Sequence, residues 1–243
     1  MLTTMRLTAK AEPFDSFWEL PGDVEGGYKK FPPYYRHNYL RYFPTDRQAR
    51  ILVISCGPGY LLTLLQQEGY ANVLGIDSRA DKLRYALERK LPCQMAEAFP
   101  FLEQARDPFD AIILESEINH LTKEEIIEFF RLCRDRLTPG GTLILHSLNG
   151  ANPLTGTVAL AQNIDHYNTF TDYSLSQALR LGGFEDLTMI PLRNFVFWTN
   201  PLNYVGLVLE RALELGIWAM YALYGKSHSI LTKKFAAIAR KGA

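Results

Sequence analysis

The residues that invite chemistry begin with Ser55-Cys56-Gly57-Pro58-Gly59. Two glycines there remove Cβ atoms where a ligand must approach the backbone, and a helix starting behind them offers unbonded N–H groups. Gly-Pro-Gly makes good turns anywhere, so the segment gains meaning from Asp77, 18 positions beyond Gly59. A carboxylate there, closing the next strand, can accept both hydroxyls of a ribose; it can equally help Ser78 start a helix. Dinucleotide-binding folds share this geometry but need a third glycine, so that the helix packs closely while pyrophosphate sits at its end. Leu62 holds that position. It argues against a nicotinamide dinucleotide and for a smaller nucleoside ligand.

A second constellation is Asp165-His166, in the polar stretch that runs to Thr171. Imidazole titrates near neutrality, so His166 suits removal of a proton from an acceptor hydroxyl. The plainer alternative is a loop histidine pinned by Asp165 to brace a helix cap at Thr171. His120 reads as structural or ligand-adjacent and His146, inside a strand, as a core histidine; His37 and Tyr35 are weaker catalytic candidates. Asp110, Glu115 and Glu117 lack a partner set for divalent coordination, so no metal is expected. Cys56, Cys93 and Cys133 are widely spaced with no CxxC, which predicts reduced thiols in a cytoplasmic protein.

The elements that must position these residues alternate. Ile51–Ile54 is a short β-branched run, expected of a strand buried on both faces. A helical pattern runs from Tyr60 through Leu65 and stops at Gly69. Val73–Ile76 is a second strand, and Ser78 is expected to cap the helix after it. Strands follow near Gln94–Ala96 and at Phe109–Leu114. Thr122 with Glu125 forms a capping-box sequence ahead of Ile126, Ile127 and Phe130. Thr138-Pro139-Gly140-Gly141 is expected to turn into a strand at Thr142–Ser147, with further strands at Phe184–Ile190 and Phe235–Ala239. Strands alternating with helices predict an α/β fold: a doubly wound, mostly parallel sheet with helices on both faces and a ligand at the strand carboxyl ends.

With these pieces in order, the sequence resembles the class I S-adenosylmethionine-dependent methyltransferases from about Arg50 to Ile190. The resemblance rests on Ile51–Gly59, Ile76-Asp77, Ala96-Glu97-Ala98, Phe109–His120 and Leu137–Leu143. It implies a seven-stranded Rossmann-like fold with S-adenosyl-L-methionine as cofactor. Ser55, Cys56, Gly57, Pro58 and Gly59 would face its methionine half, and Asp77 with Ser78 its ribose. Ala96, Glu97 and Ala98 would border the adenine; Glu115 and Ser116 would close the pocket, with His120 nearby. Two positions depart from the family: Val53 stands where an acid is usual and Ser55 where glycine is usual. Glu115 and Arg36 are the candidates to substitute for the missing acid. The stretch from Asn149-Gly150-Ala151-Asn152-Pro153 to Thr171 resembles a subgroup associated with sugar and polysaccharide modification. The implied function is O-methylation of a sugar-like or other small acceptor, with His166 as base and Asp165 as its partner. A non-catalytic S-adenosylmethionine-binding or scaffold protein is the alternative motivated by Val53 and Ser55.

Four segments follow: an aromatic arm or lid at 1–45, a cofactor-binding core at 46–200, an amphipathic helical insertion at 201–232 and a final strand at 233–243. The arm is expected to be irregular with a short helix. In the insertion, Glu210, Arg211 and Glu214 make one charged stripe opposite Val205, Val208, Leu209, Leu213, Ile217, Met220 and Leu223, an apolar side that must bury itself on something. Its own domain, a homodimer interface through 202–224 and a membrane surface are the options. The 26 basic and 26 acidic residues balance, so no global field attracts nucleic acid. Residues 1–11 lack an apolar run, so no secretory signal is expected.

Overall fold

Ile51, Leu52, Val53 and Ile54 are all buried because strand β1 (Arg50–Ile54) lies inside the sheet with helices on both sides. The structure is a computed structural model describing residues 23–115, 118–161, 166–196 and 200–242. β1 pairs in parallel with β2 (Asn72–Asp77) on one side and β4 (Phe109–Leu114) on the other. β3 (Cys93–Met95), β5 (Leu137–Leu148), β6 (Asp186–Leu192) and β7 (Lys234–Arg240) complete the order β3-β2-β1-β4-β5-β7-β6. The pairings from β3 to β5 are parallel; β7 runs antiparallel to both β5 and β6. The sheet is therefore mixed, with its parallel part where the predicted strands alternate with helices.

Side chains alternate between two cores. Leu52, Ile112, Leu143 and Ala237 pack with helices α4 (Ala98–Gln104), α5 (Lys123–Arg136) and α7 (Asp172–Leu181). Ile51, Val53, Ile113 and Ile238 pack with α1 (Val24–Asn38), α2 (Tyr60–Gln67) and α3 (Ala80–Glu88). Thr122 makes the predicted capping box with Glu125, and Thr171 makes one with Ser174.

Several local expectations are corrected. The described part of the arm contains the 15-residue helix α1, although Pro32 and Pro33 lie within it. Each proline removes a helical N–H, but packing against α2 outweighs that loss. Gly27 permits the close approach: a Cβ there would stand 2.3 Å from the Tyr60 ring. β5 starts at Leu137, because Gly140, at φ +75°, makes a bulge whose backbone pairs with Lys241. Ser78 does not cap α3; the capping position is Arg79, whose N–H donates to Asp77 Oδ1 at 2.9 Å. The arm residues 1–22 lie outside the described residues.

The insertion is the helix α8 (Leu202–Leu223), preceded by α6 (Gly156–Ala161) and α7 in chain order. The two acids of its charged stripe face the domain, Arg211 is exposed, and its apolar side faces outward. Arg193, just beyond β6, pairs with Glu214 and lies 3.6 Å from Glu210, while Arg211 reaches Glu214 at 3.1 Å. Only Asn203 and Ile217 of α8 are buried. Among the described residues, no helix is long and apolar enough to cross a membrane.

Candidate active site

Strand order reverses at β1, whose neighbours β2 and β4 continue in opposite directions, so the ligand crevice expected of such a sheet lies at the carboxyl ends of β1 and β4. The segment Ser55–Gly59 leaves β1 there. Cys56 N–H donates to the Ile76 carbonyl and Glu115 N–H to the Ile54 carbonyl, each at 3.0 Å, so neighbouring strands hold the loop at both sides. Ser55 has φ +57°, a left-handed conformation that costs about 1–2 kcal/mol in a residue with a Cβ. The position where the family usually has glycine thus keeps the backbone glycine would favour. Gly59, at φ +84°, could not carry a Cβ, which would lie 2.5 Å from Leu91 Cδ1.

Asp77 closes β2 and is 3% exposed. Its Oδ2 accepts Gly57 N–H at 2.7 Å and its Oδ1 accepts Arg79 N–H at 2.9 Å. Asp77 therefore anchors the start of α3 and the glycine loop at once. Burial raises its carboxyl above the ordinary range, partly offset by the two N–H donors. A carboxylate has about four acceptor sites, so two remain for ligand hydroxyls. Burial also pushes the Cys56 thiol well up, which leaves it a packing residue and not a nucleophile. Leu62 is fully buried; its Cδ1 would lie 2.7 Å from a Cβ on Gly75, so it fills the space between α2 and β2.

Ala96 joins this edge through its N–H to the Asp77 carbonyl at 3.0 Å. Ala98 is buried at the start of α4, whereas Glu97 is exposed at the rim. Glu115 stands at the tip of β4, and Tyr35 Oη donates to its Oε2 at 2.5 Å. Burial pushes the Glu115 carboxyl up to about 7, against the lowering pull of the Tyr35 hydrogen bond and of Lys234. Tyr28, about two turns earlier on the same face of α1, donates to the Pro58 carbonyl at 2.5 Å. Helix α1 therefore lies over the loop and supplies a buried phenol to it. Sequence reasoning ranked Tyr35 low because its partner is 80 positions away.

Arg36 is corrected. Its guanidinium grips Glu68 at 2.7 Å, beside the carboxyl end of α2, while the loop adjoins the opposite end of that helix. Ser78 is half-buried next to Asp77. Ser116 and Asp165 lie outside the described residues. His166 is held instead by a pair that sequence reading did not identify: its Nδ1 is 2.5 Å from the Ala159 carbonyl and 3.1 Å from the Asn119 amide. Its ring meets buried His120 edge-on, with centroids 4.5 Å apart. A carbonyl only accepts, so Nδ1 carries a proton. Asn119 Oδ1 is buried without a hydrogen-bond partner. Turning the amide over would bring that oxygen to Nδ1–H as well. The Asn-rich turn is a brace: Asn149 Nδ2 donates to Ile230 and Thr232 carbonyls, and Asn152 Nδ2 to Leu231.

Chemically, the crevice presents glycine-loop backbone between two enclosed carboxylates. That donor set suits a ligand with positive charge and paired hydroxyls; a pyrophosphate would meet two acids. Among the described residues no group of three or more His, Cys, Asp or Glu could hold a metal ion.

A family model described as a methyltransferase domain matches residues 28–189. No curated protein sequence matches the chain. Among similar solved structures, a SAM-dependent methyltransferase from Archaeoglobus fulgidus is 21% identical with a TM-score of 0.65, covering 88% of this chain and 94% of that one. Phosphoethanolamine N-methyltransferase 2 from Haemonchus contortus, in complex with S-adenosyl-L-methionine, is 18% identical with a TM-score of 0.56, covering 84% of this chain and 51% of that one. An S-adenosylmethionine dependent methyltransferase from Mesorhizobium loti is 16% identical with a TM-score of 0.54, covering 83% and 94% respectively. At these identities the likeness concerns the fold.

The Glu115 carboxyl gives a pH signature. Its folded value, about 7, lies above the ordinary 4.5, so the folded state holds a proton that the unfolded state has released. The contribution of this group to stability is then greatest below pH 4.5, falls as pH rises to about 7 and levels off above it. Urea unfolding across this range should show a decline of up to about 3 kcal/mol that Glu115→Gln removes. An unchanged slope in the variant would place the titration elsewhere.

Proposed function

The chain belongs to the methyltransferase domain family, and from that premise we propose that it binds S-adenosyl-L-methionine and methylates a hydroxyl of a small, sugar-like acceptor. The observation that carries this reading is the pair of enclosed carboxylates, Asp77 and Glu115, on either side of the glycine loop. The residues fit the cofactor. Asp77 has acceptor sites left for ribose hydroxyls, and Glu115 offers negative charge where the family acid is replaced by buried Val53. The cofactor-bound state of the Haemonchus contortus structure supports the same assignment.

When bound, S-adenosylmethionine supplies a methyl carbon on a positively charged sulfur, open to in-line displacement. The protein's own part is alignment and proton removal. Ser55–Gly59 admit the ligand to the backbone, Ala96 borders it, and α1 excludes water through Tyr28 and Tyr35. His166, with Nδ1–H engaged by Ala159, has Nε2 to take the acceptor proton. The sugar-like class rests on the resemblance of segment 149–171 alone, because Asn149 and Asn152 are spent on the brace.

Calorimetry with S-adenosylmethionine tests the binding half. Asp77→Ala should weaken affinity by about tenfold to a hundredfold. Wild-type affinity should tighten as pH rises through about 7, where Glu115 ionises, and Glu115→Gln should lose that dependence. Absence of binding at millimolar cofactor would defeat the reading. For the chemical half, His166→Ala should keep cofactor affinity and cut turnover by about 10²–10⁴-fold; unchanged turnover would remove His166 as the base.

A further inference from the structure

Helix α8 is inverted relative to an ordinary surface helix, which points charge at water and apolar residues at its domain. Its acids Glu210 and Glu214 turn inward to Arg193, and Arg211 is drawn to Glu214. These three are the only charged residues of the helix. The outward half of its circumference carries Leu202, Val205, Val208, Leu209, Leu215 and Leu223, each more than half exposed. Tyr221 Oη donates to the Ala151 carbonyl at 2.7 Å and Ile217 packs on Ala151 and Leu231, so the helix is fixed in this orientation.

We propose that this strip docks on the surface of a lipid bilayer containing anionic lipids. Three observations select that occupant. The apolar strip is bordered by exposed aromatic rings, Trp218 and Tyr204 on one side and Tyr224 on the other. Amphipathic rings in that arrangement sit at headgroup level. The chain that follows the strip is cationic: no Asp or Glu occurs from residue 215 to 243, and Lys226 and Lys233 are exposed beyond the end of α8, with a carboxylate contact at Ser229, which donates to Asp172. The area is also small. A strip about 33 Å long and about 15 Å wide offers on the order of 500 Å², short of the about 800 Å² per partner that a stable dimer buries. The helix joins the end of β6 to the start of β7, where Leu192 and Leu148 both pair with Lys234. That is the sheet end that carries Asp77 and Glu115. Docking therefore brings the bilayer to the helix that joins strands at the crevice end of the sheet, which suits an acceptor that carries a lipid tail.

The experiment is co-sedimentation of the full chain with vesicles of phosphatidylcholine alone and of phosphatidylcholine mixed with phosphatidylglycerol. Strong binding is expected only to the anionic vesicles. Val208→Glu with Leu215→Glu, both exposed, should keep the thermal midpoint and lower binding about tenfold or more. Lys226→Glu with Lys233→Glu should lower binding to the anionic vesicles several-fold. Tryptophan emission should shift to the blue on vesicle addition, and Trp218→Phe should lose most of that shift, which tests the strip without a destabilising change. The proposal is overturned by absence of binding to either vesicle, by binding that Val208→Glu with Leu215→Glu leaves intact, or by a dimer in light scattering that the same double variant splits.

Discussion

The site depends on one carboxylate held by two backbone amides. Asp77 accepts from Gly57 and from Arg79, and so ties the loop after β1 to the end of β2 and the start of α3. Without that tie, a loop containing a left-handed Ser55 and two left-handed glycines would have little reason to keep one shape. The cost is a negative charge with almost no water around it. Backbone N–H donors offset part of that cost, and a bound ribose would offset more by the same chemistry.

The second acid follows a different logic. Val53, fully buried where β1 packs on the α1–α2 layer, leaves no room for charge inside the strand. Negative charge enters the crevice from β4 instead, on Glu115, and a phenol from α1 comes to meet it. The exchange moves the acid from the sheet interior to the strand tip, where a helix can cover it. It also makes α1 part of the site: a segment that reads as an arm in the sequence contributes the ring that shields Glu115 and the ring that caps Pro58.

What was legible in the sequence was whatever local pattern and short-range chemistry determine. The buried run at Ile51–Ile54 marked β1, Thr122 with Glu125 marked the start of α5, and Leu62 marked a closed space beside the loop. The length of helix α1 was not legible, because Gly26-Gly27 and Pro32-Pro33 oppose helix locally and the Tyr60 surface overrides them. Nor was the facing of α8. Periodicity reveals two sides of a helix but not which turns inward; the decision rests with Arg193, on another element. Tyr35 with Glu115, and His166 with Ala159, are likewise pairings that only the folded chain creates.

The placement of β7 bears on how the molecule is made. Among the described residues β6 has no hydrogen-bonded neighbour other than β7, which slots between it and β5. While the chain emerges from the ribosome, residues 186–192 must wait for residues 234–240 before their ladder can close. An open strand edge in that interval is a surface on which nascent chains aggregate. The prolines and charges nearby, Pro191 within β6 and Asp186 at its start, lie where they would discourage such mispairing.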